Sequence, residues 1–217
     1  GDVYKRQVIV PTLNEEKNIG IVLSKLKKYA DEIIVVDGYS KDKTVDIAKK
    51  LGARVIFDDK GKGSALIKGF RAAKGDVIIT FDADLSHRSS EIKKMTEKLK
   101  SYDVCMPSRF LGKSEDITPF RRFLNILLAK FINFVWKSSY TDVCYGLRGF
   151  RKEVIKKLEL ESSGFEIETE IAIKIAKKRL NFVEIPSIEK KRFLEKSKFN
   201  LFRDGLRIIS RVVKELL

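Results

Sequence analysis

Apolar residues along this chain fall into short continuous runs and into three-to-four spacings, and the two patterns alternate through its first half. Val8-Ile9-Val10 reads as a strand stopped by Pro11. Asn14 is placed to cap a helix with Glu15 and Glu16 in its favourable first turn. The stripe of that helix falls at Ile19, Val22, Leu23 and Leu26. A second strand over 33–37 ends on an acid, a helix over 43–51 closes at Gly52, and a third strand covers 54–57. A helix over 64–74 closes at Gly75 and leads to a strand over 76–81, followed by a helix over 90–100 and a strand over 103–106. Strict β-α alternation with continuous apolar strands predicts an α/β fold, a mostly parallel central sheet with helices on both faces.

The second half is less regular. A helix rich in Phe, Leu and Ile is predicted over 121–137, a strand-like run over 143–150, and a helix over 165–178 with Ile167, Ile171 and Ile175 on one face. A strand over 181–186, a charged stretch without periodicity over 189–200 and a basic amphipathic helix over 200–217 complete the chain. No linker separates autonomous parts, so residues 1–217 are expected to form one domain. Its two halves would be 8–107 and 108–200.

Composition places the chain among globular proteins: 43% of residues are apolar, with only 4 Pro and 13 Gly and no low-complexity tract. Cys105 and Cys144 sit in apolar runs without metal-ligand spacing, which predicts buried thiols compatible with a reducing cytoplasm. The first residues hold no Met and no apolar core of the signal-peptide kind, so no secretory signal is read there. The longest greasy stretch, 123–136, is interrupted by Asn125, Lys130 and Asn133, too short and too polar to span a bilayer.

Charge changes the picture more. Lys and Arg total 45 against 30 Asp and Glu, a formal +15, and 177–214 alone carries twelve Lys/Arg against four Asp/Glu. Such an excess suits nucleic acid, an anionic membrane surface or a phosphorylated substrate, or simply a well-solvated surface.

Candidate chemistry centres on one strand end. The run Val77-Ile78-Ile79-Thr80-Phe81-Asp82-Ala83-Asp84 stops on two carboxylates at the rim where open α/β sheets bind ligands. In extended geometry both side chains point the same way, and paired carboxylates there suit Mg²⁺ or Mn²⁺. An isolated Asp-x-Asp also caps helices or stays solvated, so the pair decides nothing alone.

Seven fragments follow one another along the chain. They are Val10-Pro11-Thr12-Leu13-Asn14-Glu15-Glu16, then Val35-Val36-Asp37-Gly38-Tyr39-Ser40-Lys41-Asp42-Lys43-Thr44, and Gly61-Lys62-Gly63-Ser64-Ala65. Asp82-Ala83-Asp84-Leu85-Ser86-His87 and Ser108-Arg109-Phe110 come next. The last two are Thr141-Asp142-Val143-Cys144-Tyr145-Gly146-Leu147-Arg148 and Arg192-Phe193-Leu194-Glu195-Lys196-Ser197-Lys198. In this order, over residues 8 to about 200, they resemble the family 2 glycosyltransferases of the GT-A fold, in the branch similar to dolichyl-phosphate mannose synthase.

The resemblance implies an inverting, metal-dependent enzyme. It would move a hexose from GDP-mannose, or a UDP-hexose, to a polyprenyl or dolichyl phosphate. Pro11, Leu13, Glu15, Val36 and Asp37 match positions around the nucleoside, and Asp82 and Ala83 the ribose and phosphate side. Asp84 would bridge Mg²⁺ or Mn²⁺ to the diphosphate and stabilise the departing charge, with Asp82 and Ser86 as further candidate ligands. Arg109, Arg122 and Arg192, with Lys198, match basic positions near the diphosphate or lipid phosphate, where the planar arginine fork binds oxygen pairs. Arg121 replaces Arg122 if the register slips by one. Asp142 matches the family's Thr-Asp acid near the acceptor, for orientation, electrostatics or base chemistry. Asp84, Asp142 and Arg109 form the implied catalytic set.

A phosphate monoester is already anionic at pH 7, so no strong base is required. The single His, His87, is therefore read as structural. Residues 190–198 are expected to close over substrate as a lid. The last helix sets Phe202, Leu206, Ile209, Val213 and Leu216 on one face with Arg203, Arg207 and Arg211 beside it, as helices in membrane interfaces do. This predicts peripheral attachment to the cytoplasmic leaflet.

Three departures bear on the donor and the metal. Asp37-Gly38 stands where many relatives have two acids, Ser86 where the family often has Gln, and Glu195 at the position of a usual Gly. Two rival readings remain. A glycan or small-molecule hydroxyl acceptor would require Asp142 as a true base. A nucleic-acid-binding protein would use the positive charge, but the chain lacks aromatic-basic interleaving and any helix-turn-helix signal.

Overall fold

The computed structural model describes residues 4–192 and 198–217. The first half runs β1 (Arg6–Thr12), α1 (Glu16–Leu26), β2 (Glu32–Asp37), α2 (Thr44–Lys50), β3 (Arg54–Phe57), α3 (Lys62–Ala72), β4 (Val77–Thr80) and α4 (Glu91–Lys98). The second half runs β5 (Val104–Ser114), α5 (Pro119–Trp136), β6 (Arg148–Arg151), α6 (Lys152–Leu158), α7 (Ile167–Lys177), β7 (Phe182–Glu189) and α8 (Leu201–Leu216). Seven strands form one sheet in the order β3-β2-β1-β4-β6-β5-β7. Only β6 runs against its neighbours, antiparallel to β4 and β5, and the remaining pairs are parallel.

Alternate residues of each strand feed cores on opposite faces, as the two-residue period requires. Ile9, Ile34, Ile78 and Val104 pack with Leu66, Phe70, Ile132 and Ile171. Val8, Val35, Ile79 and Cys105 pack with Leu23, Ile92 and Met95. This is the doubly covered, mostly parallel sheet expected from the apolar runs.

Several boundaries differ for identifiable reasons. β1 continues through Pro11 to Thr12. Ile9 faces β4, whose last pairing is Ile9 with Thr80, so the missing Pro11 N–H points where β4 has already ended. Asn14 adopts a left-handed φ of 53° and does not cap α1. β5 runs to Ser114 because its pairing with β7 resumes at Lys113 after a register shift. Residues 143–147 lie outside any strand, so Cys144 is not in a β-run. Helix α6 was not anticipated; its seven residues bury only Val154 and Leu158, too few to display a period.

The chain moves outward from β1 to β2 and β3, then returns to β4 on the other side of β1. Open α/β sheets bind ligands outside the carboxyl ends of strands at such a switch. Asp82, Ala83 and Asp84 leave β4 there.

Helix α8 docks through its charged side. Its buried residues are Asp204, Arg211, Val212 and Glu215, whereas Phe202, Leu206, Ile209, Val213 and Leu216 are exposed. Arg211 therefore does not join the expected basic flank. Its Nε donates to Ser162 Oγ at 3.0 Å, and its guanidinium pairs with Glu161 (3.2 Å), Glu215 (3.3 Å) and Glu170 (3.4 Å). Lys174 also faces Glu170, at 2.8 Å. Removing one member of a buried ion pair strands the other, so Arg211→Met should destabilise the fold by about 3 kcal/mol, the lower end of the usual range because Lys174 remains. A lowered urea midpoint would show this; an unchanged midpoint would mean α8 is held by something else.

Candidate active site

At the carboxyl ends of the central strands lies a cavity of about 700 Å³. Pro11, Leu13, Glu15, Asp82, Ala83, Asp84, Ser86, Arg109, Arg192 and Lys198, all expected from the sequence, line it. Val36, Asp37, Arg122 and Asp142 do not.

The two misplaced residues of β2 stand behind the wall. Val36 is fully buried among Ile9, Ile34 and Leu66. Asp37 is fully buried too, accepting from Thr12 Oγ1 (2.8 Å), Ser40 N (2.7 Å) and Ser40 Oγ (2.7 Å). Asp37 thus ties the β1 end to the β2 turn, and Gly38 presents the surface instead. Asn14 stitches the same turn, donating its N–H to Ser40 Oγ and accepting from Lys41 N through Oδ1. Glu15 accepts from Asn18 Nδ2 at 2.9 Å and pairs with Lys198 Nζ at 2.8 Å. Asp58 and Asp59, missed in the sequence, also line this end. The signal was present: β3, like β2, runs into acids.

The ionic pole follows β4. Asp82 Oδ1 pairs with Lys62 Nζ at 2.8 Å, and Asp82 Oδ2 meets His87 Nε2 at 3.2 Å. Burial alone would raise the Asp82 pKa, but Lys62 and His87 outweigh it and hold the carboxyl well below the usual carboxylate range. Leu85 turns back with φ 64°, so Ser86 donates to Asp84 Oδ1 from both Oγ (2.6 Å) and N (3.1 Å). Arg192 Nε donates to Asp84 Oδ2 at 2.5 Å, and its NH1 pairs with Asp116 at 3.2 Å. Burial and Asp82 push the Asp84 pKa up; His87, Arg192 and Ser86 bring it below its ordinary value. His87 itself packs edge-on against Phe81 and Tyr145, in keeping with a structural role.

Asp142 lies behind Arg109 rather than in the cavity. Its oxygens accept from Arg109 Nε (2.6 Å), Arg109 NH2 (3.0 Å), Asn125 Nδ2 (2.9 Å) and Cys144 N (3.2 Å). Burial raises its pKa, but the Arg109 charge and these donors leave the net shift downward. Arg109 also reaches Glu189 at 3.2 Å, so all three guanidinium nitrogens are engaged. The pair is a brace in the wall.

One helical position separates the two arginines at the start of α5. Arg121 lines the cavity, stacked 5.0 Å from the Phe199 ring, whereas Arg122 turns outward over Phe110. Of the two arginines, Arg121 is the one placed in the cavity wall. Beyond Arg121 the lining becomes apolar, with Leu124, Leu127 and Leu128 from α5 facing Leu201, Ile208 and Ile209 from α8. Residues 193–197, including Glu195, lie outside the described residues, so the expectation of a lid over 190–198 falls largely outside them.

Of the two thiols expected to be buried, Cys105 is fully so, whereas Cys144 is half-buried and lines the cavity. Burial pushes both the Cys105 and Cys144 thiols up to about 12, Asp142 adding to the effect at Cys144. A thiol reagent at pH 8 should leave Cys105 unmodified in the native protein, react only slowly at Cys144, and titrate two thiols after denaturation. The unfolded thiols ionise near pH 8.5, so stability from this source should decline as pH rises above that value. Fast labelling of Cys105 in the native protein would contradict its burial.

Comparison with known proteins accords with this geometry. Residues 7–159 match the model of "Glycosyl transferase family 2". The chain is 37% identical over 198 residues to a dolichol-phosphate mannosyltransferase of Pyrococcus furiosus, covering 84% of this chain and 55% of that protein. It is 31% identical over 216 residues to a dolichyl-phosphate hexose transferase of Haloferax volcanii, covering 97% of this chain and 93% of that one. The crystal structure of glucosyl-3-phosphoglycerate synthase from Mycobacterium tuberculosis, with Mn²⁺, UDP and glucosyl-3-phosphoglycerate, matches with a TM-score of 0.75 at 20% identity, covering 98% of this chain and 80% of that chain. The sheet order, the acids beyond β4 and the family match converge: this chain belongs to glycosyl transferase family 2 and is a glycosyltransferase of the GT-A fold.

Proposed function

We propose that this chain transfers a hexose, with inversion, from a nucleotide diphosphate sugar to a polyprenyl phosphate at the cytoplasmic surface of a membrane. GDP-mannose is the favoured donor, with a UDP-hexose as the alternative. The observation that carries this reading is one cavity with two chemistries: an ionic pole at Asp82 and Asp84, and an apolar mouth between α5 and α8. A sugar nucleotide matches the first, and an isoprenoid chain ending in phosphate matches the second. The two relatives named for transfer to dolichyl phosphate support the same acceptor.

The donor set fits a divalent cation of the magnesium type. No cluster of three or more His, Cys, Asp or Glu ligands occurs among the described residues. Mg²⁺ commonly takes one or two carboxylates and completes its shell with substrate phosphates and water. Asp84, with the Ser86 oxygen beside it and Asp82 as a further ligand, would supply that minimum; both carboxylates now hold cations, Arg192 on Asp84 and Lys62 on Asp82, which the ion would have to displace. When bound there, the ion would stabilise charge on the departing diphosphate.

The protein's own residues divide the remaining work. Arg192 and Arg121 present guanidinium groups to the cavity for phosphate oxygens. Lys198, on Glu15 at the nucleoside end, places a further positive charge there. Asp142, already surrounded by donors, is poorly suited to take a proton from a hydroxyl acceptor. A phosphate acceptor, anionic at neutral pH, does not ask it to.

With Mn²⁺ or Mg²⁺, the purified protein should convert a short polyprenyl phosphate and one of a panel of GDP- and UDP-sugars into glycosyl polyprenyl phosphate. Asp84→Ala should lower the rate roughly 10²- to 10³-fold with an unchanged far-UV spectrum. Transfer only to hydroxyl acceptors would sink the reading. Membrane contact is separable from catalysis. No helix among the described residues is long and apolar enough to cross a bilayer, but Phe123 and Phe134 of α5 and Phe202 and Ile209 of α8 are exposed. The protein should float with vesicles containing anionic lipid, and replacing Phe134 and Phe202 by Ser should reduce the floating fraction. Recovery of the unaltered protein only from the soluble fraction would count against peripheral attachment.

A further inference from the structure

Glu184, in β7, stands outside the cavity and takes no part in the transfer outlined above. Both of its oxygens nevertheless serve one short segment, residues 141 and 142. Oε1 accepts from Thr141 N at 3.0 Å and Asp142 N at 3.2 Å, and Oε2 from Thr141 N and Thr141 Oγ1, both at 2.9 Å. Thr141 Oγ1, its own proton given to Glu184, accepts in turn from Ser108 Oγ at 2.6 Å. Main chain and side chain are fixed together.

That grip determines where Arg109 lies. Asp142 accepts from Arg109 Nε at 2.6 Å and NH2 at 3.0 Å, and Glu189, further along β7, accepts from NH1 at 3.2 Å. Strand β7 therefore holds the guanidinium from two directions, directly through Glu189 and through the 141–142 backbone by Glu184. Stability alone does not explain the arrangement. Burial pushes the Glu184 pKa up, Asp142 adds to the effect, and the Thr141 and Asp142 donors only partly offset it. An acid whose pKa is higher in the folded protein loses stability as pH rises through that value, so its charge disfavours the fold at neutral pH.

Arg109 keeps donors in reserve. A guanidinium has five N–H donors, and its three bonds to carboxylates leave one on each terminal nitrogen. Arg109 lines the cavity over Tyr145, and Asn125, which donates to Asp142, lines it beside Leu124, where the apolar mouth begins. With Asp142 and Glu189 upon it, Arg109 has no net charge left to draw in an anion. Arg121 and Arg192 supply that attraction from the same lining. Arg109 contributes direction, with its N–H groups held at the boundary between the ionic pole and the apolar mouth.

We infer that Glu184 is a positioning residue for the acceptor: by fixing the 141–142 backbone it sets Asp142 on Arg109, and so aims the remaining Arg109 N–H groups at an oxygen of the polyprenyl phosphate. This rests on the acceptor reading proposed above. A group misplaced by about 1 Å lowers a rate roughly 10²-fold, which sets the scale of the effect.

The decisive variant is Glu184→Gln, which keeps the size of the side chain but turns one acceptor into a donor facing the Thr141 and Asp142 amides. With Mn²⁺, kcat for transfer to a short polyprenyl phosphate should fall roughly 10- to 100-fold, while the Kd of the nucleotide sugar, measured without acceptor, should not change. Combining Glu184→Gln with Asp142→Asn should give a protein no slower than Asp142→Asn alone, because residues acting through one another are not additive. Losses that multiply in the double variant, or a nucleotide sugar weakened as much as transfer, would make Glu184 a merely structural residue. An unchanged kcat would overturn the inference outright. Should Glu184→Gln fail to fold, Glu184→Asp, which keeps the charge and withdraws it by one methylene, is judged by the same comparison. A wild-type protein that transfers only to a hydroxyl acceptor would end the polyprenyl phosphate reading, and a loss of kcat on that acceptor with unchanged nucleotide-sugar affinity would leave the positioning role of Glu184 standing.

Discussion

Negative charge gathered at one edge of the sheet, and matched there by cations from distant segments, is the constraint on which the rest of this structure depends. Asp82 meets Lys62 from α3, Asp142 meets Arg109 from β5, Asp84 meets Arg192, and Glu15 meets Lys198. Arg192 is 108 residues from Asp84, and Lys198 is 183 from Glu15, so these contacts tie the end of the chain to its beginning. Each carboxylate is at least partly shielded from water. Stranding any one of them would leave a charge that the protein interior tolerates poorly. The same arrangement suits an anionic ligand, because cations held beside carboxylates are at hand for phosphate oxygens.

Much of the fold was legible because buried parallel strands are continuous apolar runs, and those in 8–10, 33–37 and 77–81 stand out from the helices between them. The acids closing these runs were legible for the same reason. What escaped the sequence was orientation. Consecutive helical residues point about 100° apart, which is why Arg121 faces the cavity and Arg122 does not. Asp37 and Asp142 look like exposed acids in a one-dimensional reading, yet each is enclosed by hydroxyl, amide or guanidinium donors from other segments. Lys62 was visible within a Gly-Lys-Gly fragment, but nothing local connects it to Glu168. Their meeting depends on the packing of α3 against the segment before α7.

Helix α8 inverts the usual relation between amphipathicity and docking. A surface helix ordinarily turns its apolar stripe inward. Here Arg211 and Glu215 face inward and the apolar stripe faces out. Attachment of α8 to the protein therefore does not consume the surface proposed to meet lipid, and engagement with a membrane would require no exposure of the core.

The reversed direction of β6 has a different consequence. Around the ionic pole, much of the lining comes from segments that follow strands β1, β2, β3 and β4. Because β6 is antiparallel, with Arg148 beside Thr80, it is the segment preceding it, 141–147, that reaches the same rim. That segment hangs from the end of α5 and is secured by Arg148, which donates to the Val143 and Tyr145 carbonyls. The pocket is thus assembled from two independently tethered sets of loops. Insertions or deletions between α5 and 141 would reshape one set without altering the strand register that supports the other, giving the scaffold a modular route to new acceptors.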